Sequence, residues 1–350
     1  LQDLTLLGWR PGLALTQAQL DPNALLARVA LEDRGGYLLW TAHGERRALL
    51  SGAARARGDE PPVVGDWVYA RDADGALWID ASLPRHSHLT RRAAGRRAAP
   101  QRMAANVDTA LILTSPNLDF NPGRLERYLI MARAGDVAPV VVLNKADLVP
   151  DITPWLQRCA RALPSVPVVA LSALRLDGLD ALAPWLGEGQ TLALVGSSGA
   201  GKSTLANALL GQQRQPTQAI RRDDDEGRHT TTARHLLLLD QRRGLLIDTP
   251  GLRELQLHAD EDAVEEVFAD LLALAQRCRF RDCTHHGEPG CHVQAAIDAG
   301  QLDHRRLDRF QKLRREAAFF EARDDVAQQR RHARDFSRVA RAASRHKLGR

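Results

Sequence analysis

The chain has 350 residues, enough for two or three domains, and its 44% apolar and 26% charged residues are the balance of an ordinary globular protein. No apolar run approaches the ~18–20 residues that span a bilayer, so no membrane partner is expected. The opening Leu1-Gln2-Asp3-Leu4 carries no basic segment followed by an apolar one, so no secretory leader is read there.

Four cysteines, three of them between Cys278 and Cys291, do not make a secreted disulfide framework and fit a reducing cytoplasm. The net charge of +5 is unevenly spread: residues 301–350 hold 15 Lys+Arg against 7 Asp+Glu. A second block contains Arg85, Arg91, Arg92, Arg96, Arg97 and Arg102 and no acid. Such clustering suggests a polyanion partner; the alternative for either block alone is a solvated basic face. Lysine is scarce, with Lys145, Lys202, Lys312 and Lys347 beside 44 arginines. A lysine kept at 202 hints at a need for a compact point charge.

Residues 1–97 read as β. Short apolar or alternating runs at Ala27–Leu31, Tyr37–Trp40, Val63–Val68 and Ala76–Ile79 are separated by turn signals such as Asp33-Arg34-Gly35-Gly36 and Asp72-Ala73-Asp74-Gly75. Several short strands in so little chain suggest a small barrel, with an OB-fold the best candidate. Trp40, Trp67 and Trp78 read as core more readily than as stacking platforms. The arginine block Arg85–Arg102 reads as a linker or surface loop.

Residues 98–268 read as α/β. The strands Thr109–Thr114, Pro139–Leu143 and Val166–Leu171 alternate with helices around Arg124–Ala134 and Trp155–Ala162, the pattern of a mostly parallel sheet covered on both faces. Cys159 falls in the second helix and is expected to be buried. At the end of the middle strand stands Asn144-Lys145-Ala146-Asp147. An aspartate carboxylate accepts from the N1–H and exocyclic amine of guanine, which adenine cannot supply; the asparagine side chain binds the base edge and braces the loop, and the lysine stem packs over the purine. Ser172-Ala173 would then offer a backbone N–H to guanine O6. Alone, such a tetrapeptide is equally well a plain βα turn.

Gly196-Ser197-Ser198-Gly199-Ala200-Gly201-Lys202-Ser203-Thr204 decides the matter. It follows the apolar run Leu192–Val195 and leads into a helix, the setting of a phosphate-binding loop. Glycines let backbone N–H groups converge on phosphate oxygens, the helix N-terminus lies behind them, Lys202 reaches the β- and γ-phosphates, and the Ser203 hydroxyl can ligate Mg²⁺. Both motifs together specify GTP over ATP. In most GTPases the phosphate loop comes first; here Asn144–Asp147 and Ser172-Ala173 precede it, so the sheet must be circularly permuted.

The polar segment Asp223–Thr232 could close a threonine, Thr230 or Thr231 among them, on Mg²⁺ and the γ-phosphate. In Asp248-Thr249-Pro250-Gly251, Asp248 would hold Mg²⁺ through water and the Gly251 N–H would meet the γ-phosphate. Leu252 stands where many GTPases have a water-orienting glutamine, so intrinsic hydrolysis should be slow. His229 is the candidate to supply that function once a partner orders its loop, and it is equally well a structural loop histidine.

Residues 269–350 read as a helical zinc domain with a basic tail. After a helical stretch near Asp262–Gln276, Cys278, Cys283, Cys291 and either His285 or His286 satisfy a closed Cys₃His site for Zn²⁺ in a turn-rich loop. Apolar residues from Leu302 to Phe320 then recur at helical spacing.

Taken together, Asn144–Asp147, Ser172-Ala173, Gly196–Thr204, Gly227–Thr232, Asp248–Leu252 and Cys278-x₄-Cys283-x-His285-x₅-Cys291 resemble the bacterial ribosome small-subunit-dependent GTPases, the RsgA or YjeQ/YloQ family. The resemblance covers almost the whole chain and weakens in the Arg-rich tail. It implies an N-terminal OB barrel, a permuted GTPase domain and a C-terminal zinc domain. It favours His285 as the zinc ligand and places the family's switch histidine, proposed as catalytic there, on His229. It implies a monomer that binds the small (30S) ribosomal subunit and its 16S rRNA, and hydrolyses GTP to GDP as a checkpoint in late subunit maturation. The competing readings are a GTP-regulated RNA- or protein-binding switch with incidental hydrolysis and a zinc-stabilised DNA-binding protein.

Overall fold

A computed structural model describes residues 3–10, 24–33, 36–58, 60–73, 75–92, 100–117, 120–211, 234–240, 243–248 and 261–323. The chain divides into two compact units, Leu1–Gln256 and Leu257–Arg350.

The first unit opens with five strands: β1 (Leu25–Asp33), β2 (Gly36–Thr41), β3 (Gly44–Leu50), β4 (Trp67–Ala73) and β5 (Ala76–Ser82). β1 pairs with both β2 and β4, and β3 pairs with β5 in parallel, so the order 1-2-3-5-4 returns to β1 and closes a barrel. The short helix α1 (Gly52–Arg57) bridges β3 and β4, capped by Ser51 Oγ accepting from Ala54 N at 3.2 Å. Alternate residues point inward: Ala27, Val29, Leu39, Ala48, Val68, Ala70, Leu77 and Ile79 form the barrel core. This closed topology with its bridging helix is that of the expected OB barrel. Trp40 and Trp67 are buried as read, and Trp78 is half-buried.

The arginine block is not a linker. It folds into an antiparallel hairpin of β6 (His88–Arg92) and β7 (Pro100–Ala105). Two of its arginines serve the fold: Arg85 grips Asp66 through two bonds of 2.7 Å and reaches Glu60 at 3.0 Å, and Arg102 pairs with Glu60 as well. Asp66 is fully buried, so its charge needs this bidentate partner. The acids come from the loop before β4, outside the block, which is why the block's own composition hid them.

The α/β part contains β8 (Thr109–Thr114), α2 (Pro122–Arg133), β9 (Ala138–Leu143), α3 (Thr153–Ala162), β10 (Val168–Ala170), β11 (Thr191–Gly196), α4 (Lys202–Leu210), β12 (Arg234–Leu238) and β13 (Leu245–Asp248). The order is β10-β9-β8-β11-β13-β12, parallel except for β12. β8 and β11 are buried along their whole length, as strands covered on both faces must be. Cys159 is buried in α3 and desolvation pushes its thiol up to about 11, so it is inert packing. β12 also pairs with β1, through Leu31↔His235 and Glu32↔Arg234, so one sheet runs from β10 into the barrel.

Arg28 on β1 holds the junction. Its side chain, 1% exposed, donates to Gly65 O at 3.2 Å, to Leu7 O, and to Asn106 O and Thr191 Oγ1 at 3.0 Å each. Burial lowers its pKa to about 10, against the opposing fields of Asp108 and Asp66. Arg28→Ala strands two buried carbonyls, those of Leu7 and Asn106, since Gly65 O keeps the Asn106 Nδ2 donor at 3.0 Å, and should lower the urea midpoint of unfolding by an equivalent of about 2–4 kcal/mol. A change below about 0.5 kcal/mol, the range of ordinary surface substitutions, would contradict this role.

The second unit contains α5 (Glu261–Val267), α6 (Ala269–Ala275), α7 (His292–Asp298) and a helix over residues 304–323. Arg306, 1% exposed, ties that last helix to α6 through Asp270 at 2.8 Å while lying over the Phe268 ring. Among the described residues no helix is long and apolar enough to cross a membrane.

Candidate nucleotide site and metal cluster

Parallel strands put their carboxyl ends, and the loops that follow them, along one edge of a sheet, where α/β proteins bind ligands. Here β9 delivers Asn144–Asp147 to that edge, β10 delivers Ser172-Ala173, β11 delivers Gly196–Gly201, and β13 ends in Asp248. The motifs that the sequence scatters over a hundred residues therefore converge because their strands are neighbours.

The phosphate loop turns sharply between β11 and α4. Gly196 takes φ +141°, and a Cβ there would sit 2.5 Å from Leu113 O; Gly201 takes φ +93°, and a Cβ would sit 2.2 Å from Asn144 Nδ2. Both positions require glycine on conformation and on space. Lys202 opens α4 and donates from Nζ to Gly196 O at 2.8 Å and Ser197 O at 2.6 Å, so the ammonium lies across the mouth of its own loop. Ser197 and Ala200 are buried; Ser198, Gly199 and Ser203 are exposed, and Thr204 is half-buried.

Asn144, 2% exposed, is the joint between the loops. Its Nδ2 donates to Ala200 O at 2.9 Å, and its Oδ1 accepts from Ala173 N at 3.0 Å. Both polar atoms of the Asn144 amide, the oxygen and the nitrogen that the sequence offered to a base edge, are thus bonded to loop backbone. The Oδ1 bond takes up the Ala173 N–H that the sequence offered to guanine O6. Lys145 stands at φ +63°, the left-handed backbone that swings the following residues back toward the sheet. The Asp147 carboxylate is held below the usual range, first by the Ser172 side chain and further by the Arg175 and Lys145 charges. Its Oδ1 is buried and has no hydrogen-bond donor. Acceptors in that condition are costly, and a ligand's N–H relieves them.

Ile247 pairs with Ala193, which brings Asp248 alongside the last residues of β11. Ser203 and Asp248 offer hard oxygen donors, the chemistry Mg²⁺ takes. His229, Thr230, Thr231 and Gly251 lie outside the described residues.

In the second unit Cys278, Cys283, His285 and Cys291 bring one ligand atom each to within 4.8 Å of one another. Tetrahedral zinc, at about 2.3 Å to sulfur and 2.0 Å to nitrogen, places sulfurs roughly 3.8 Å apart and sulfur and nitrogen roughly 3.5 Å apart. Cys278 Sγ lies 3.9 Å from Cys291 Sγ, and His285 Nδ1 lies 3.7 and 3.4 Å from these two sulfurs. The four residues therefore fit a metal ion. His285 joins the cluster, whereas the His286 backbone N–H donates to Glu288 Oε2 at 2.8 Å. Glu288 also accepts from Thr284 N at 2.8 Å and from the Thr284 hydroxyl, which with these backbone bonds draws its carboxyl down to about 2. This brace of the loop around the ligands is not read from the sequence; its signal is an acid four residues after a Thr in a turn-rich stretch.

Comparison with known proteins agrees with this geometry. Residues 82–258 match the family model described as RsgA GTPase. A protein of Opitutus terrae named "Small ribosomal subunit biogenesis GTPase RsgA" is 49% identical over 340 residues, covering 92% of each chain. One of Vibrio parahaemolyticus named "Small ribosomal subunit biogenesis GTPase RsgA 2" is 45% identical, covering 96% of this chain and 91% of its own. The crystal structure of YjeQ from Thermotoga maritima shares the fold, with a TM-score of 0.62 at 24% identity over 84% of this chain and 99% of that one. A structure titled as YloQ, a circularly permuted GTPase, gives 0.59 at 22% identity over 87% and 98%. The permuted motif order, the converging loops and these matches have one conclusion: the chain belongs to the RsgA GTPase family.

Proposed function

We propose that this GTPase acts in biogenesis of the small ribosomal subunit, binds the 30S particle through its 16S rRNA, and hydrolyses GTP to GDP when the particle is correctly formed. What carries the reading is the Asn144 joint, which links a phosphate loop to a guanine-reading loop in a chain that shares 49% of its residues with a small-subunit biogenesis GTPase. Asp147 accepts from the guanine edge, Lys145 packs on the base, and Ser172-Ala173 closes the base loop. Gly196–Thr204 cradle the phosphates, and Lys202 neutralises charge that develops during phosphoryl transfer. Mg²⁺ would be held by the Ser203 hydroxyl and, through water, by Asp248, and would screen the phosphates. One switch threonine, Thr230 or Thr231, would close on it and on the γ-phosphate, the Gly251 N–H would meet the γ-phosphate, and His229 would orient water in place of the glutamine that Leu252 replaces. The Cys₃His cluster holds one structural Zn²⁺.

The working unit is a cytoplasmic monomer with an OB barrel at 1–97, a permuted GTPase domain and a zinc domain with a basic tail; the sequence bounds for the last two are 98–268 and 269–350, whereas the compact units divide after Gln256 and α5 belongs to the second. The arginine-rich composition of residues 85–102 and 301–350 suits phosphate contacts. Co-sedimentation tests the partner. With a non-hydrolysable GTP analogue the protein should pellet with isolated small subunits at least ~10-fold more than with GDP, a coupling of about 1.4 kcal/mol. Equal recovery in both nucleotide states, or equal recovery with large subunits, would contradict the checkpoint.

A further inference from the structure

The Ser-Ala loop is a tight turn. Ser172 N donates to Asp177 O at 2.9 Å, Asp177 N donates to Ser172 O at 3.1 Å, and Arg175 N donates to Ser172 Oγ at 3.2 Å. The turn carries Arg175 to Asp147, where its Nε lies 3.5 Å from Oδ2; the arginine side chain is 70% exposed and the aspartate 12%. Asp147 Oδ1, by contrast, is buried and has no hydrogen-bond donor. One carboxylate thus has one oxygen facing a guanidinium and the other kept open. A pair this exposed contributes little to folding.

We infer that Arg175 is a positioning residue that fixes the plane of the Asp147 carboxylate before nucleotide arrives, and so sets discrimination for the paired donors of guanine. The inference rests on Asp147 reading the guanine edge. Each carboxylate oxygen has two acceptor lobes, so Oδ1 takes one guanine donor, and Oδ2 keeps Arg175 and takes the other as the Ser172 side-chain bond gives way. Two donors fixed in a planar base require the carboxylate to lie in their plane, whereas a single donor tolerates a rotated one. Hypoxanthine, which keeps N1–H and lacks the 2-amine, is therefore the probe. A planar guanidinium holds such a plane; a lysine ammonium supplies charge alone.

GDP and inosine diphosphate are titrated against the full chain, Arg175→Ala and Arg175→Lys, with Asp147→Asn alongside and a thermal melt for each. Arg175→Ala should weaken GDP about threefold to fivefold and inosine diphosphate by less than about twofold, so that the preference narrows. Arg175→Lys should leave it narrowed. Equal weakening of both nucleotides, an unchanged preference, or full recovery by lysine overturns the inference. The Asp147 reading has its own arm: Asp147→Asn should turn from GDP toward xanthosine diphosphate. Retained GDP preference in that variant would overturn the reading itself, whatever Arg175→Ala does.

Discussion

Lys202→Ala is expected to lower GTP turnover by roughly 100-fold or more, the scale on which removal of one preorganised charge acts in a water-poor site. The lysine now bonds the carbonyls of Gly196 and Ser197, so its Nζ is already stationed at the loop whose backbone receives phosphate. Nucleotide replaces those carbonyls with phosphate oxygens, and the same ammonium then meets charge that grows as the terminal phosphoryl group leaves. The truncated variant keeps Gly196 and Gly201, so the loop itself should persist. Single-turnover hydrolysis with saturating GTP separates the loss of chemistry from any loss of binding. Wild-type rates in the variant would remove Lys202 from the phosphate site.

Cys283→Ala should release the bound metal and unfold the loop that carries it. Structural zinc contributes on the order of 10 kcal/mol to small domains whose apolar cores are thin, and the stretch from Cys278 to Cys291 has little apolar packing: Phe280 is 43% exposed. Elemental analysis of the purified chain should fall from one zinc toward none, with a lower melting transition for the second unit. His286→Ala is the control, because its ring lies outside the cluster and its backbone N–H survives the change. Full zinc retention by Cys283→Ala, or zinc loss by His286→Ala, would contradict the assigned ligand set.

The parts legible in the sequence are those in which chemistry is local. The phosphate loop, Asn144–Asp147 and the Cys/His spacing each lie within one turn or loop, and their residue types have few other uses in those patterns. The barrel was legible through its turns, yet β3 was passed over because Glu45-Arg46-Arg47 reads as polar loop. In the fold these positions alternate between half-buried and exposed, and only Ala48 is fully buried. The hairpin β6–β7 was missed for a related reason. Arg85 before it and Arg102 within it are matched by Glu60 and Asp66, which come from outside the arginine block. Long-range polar contacts were beyond reach altogether. Arg28 serves acceptors at positions 7, 65, 106 and 191, and no spacing rule links these. The two bonds of Asn144 likewise depend on the loops after β10 and β11 meeting the loop after β9, in a sheet whose order β10-β9-β8-β11 had first to be known.

The most direct test of the account is GTP turnover by the purified protein with and without isolated small ribosomal subunits. Intrinsic hydrolysis should be slow, because Leu252 cannot orient water, and small subunits alone should stimulate it roughly 100-fold or more, within the range that a catalytic group supplied or ordered by a partner provides. An unchanged rate with small subunits, or equal stimulation by large ones, would contradict it.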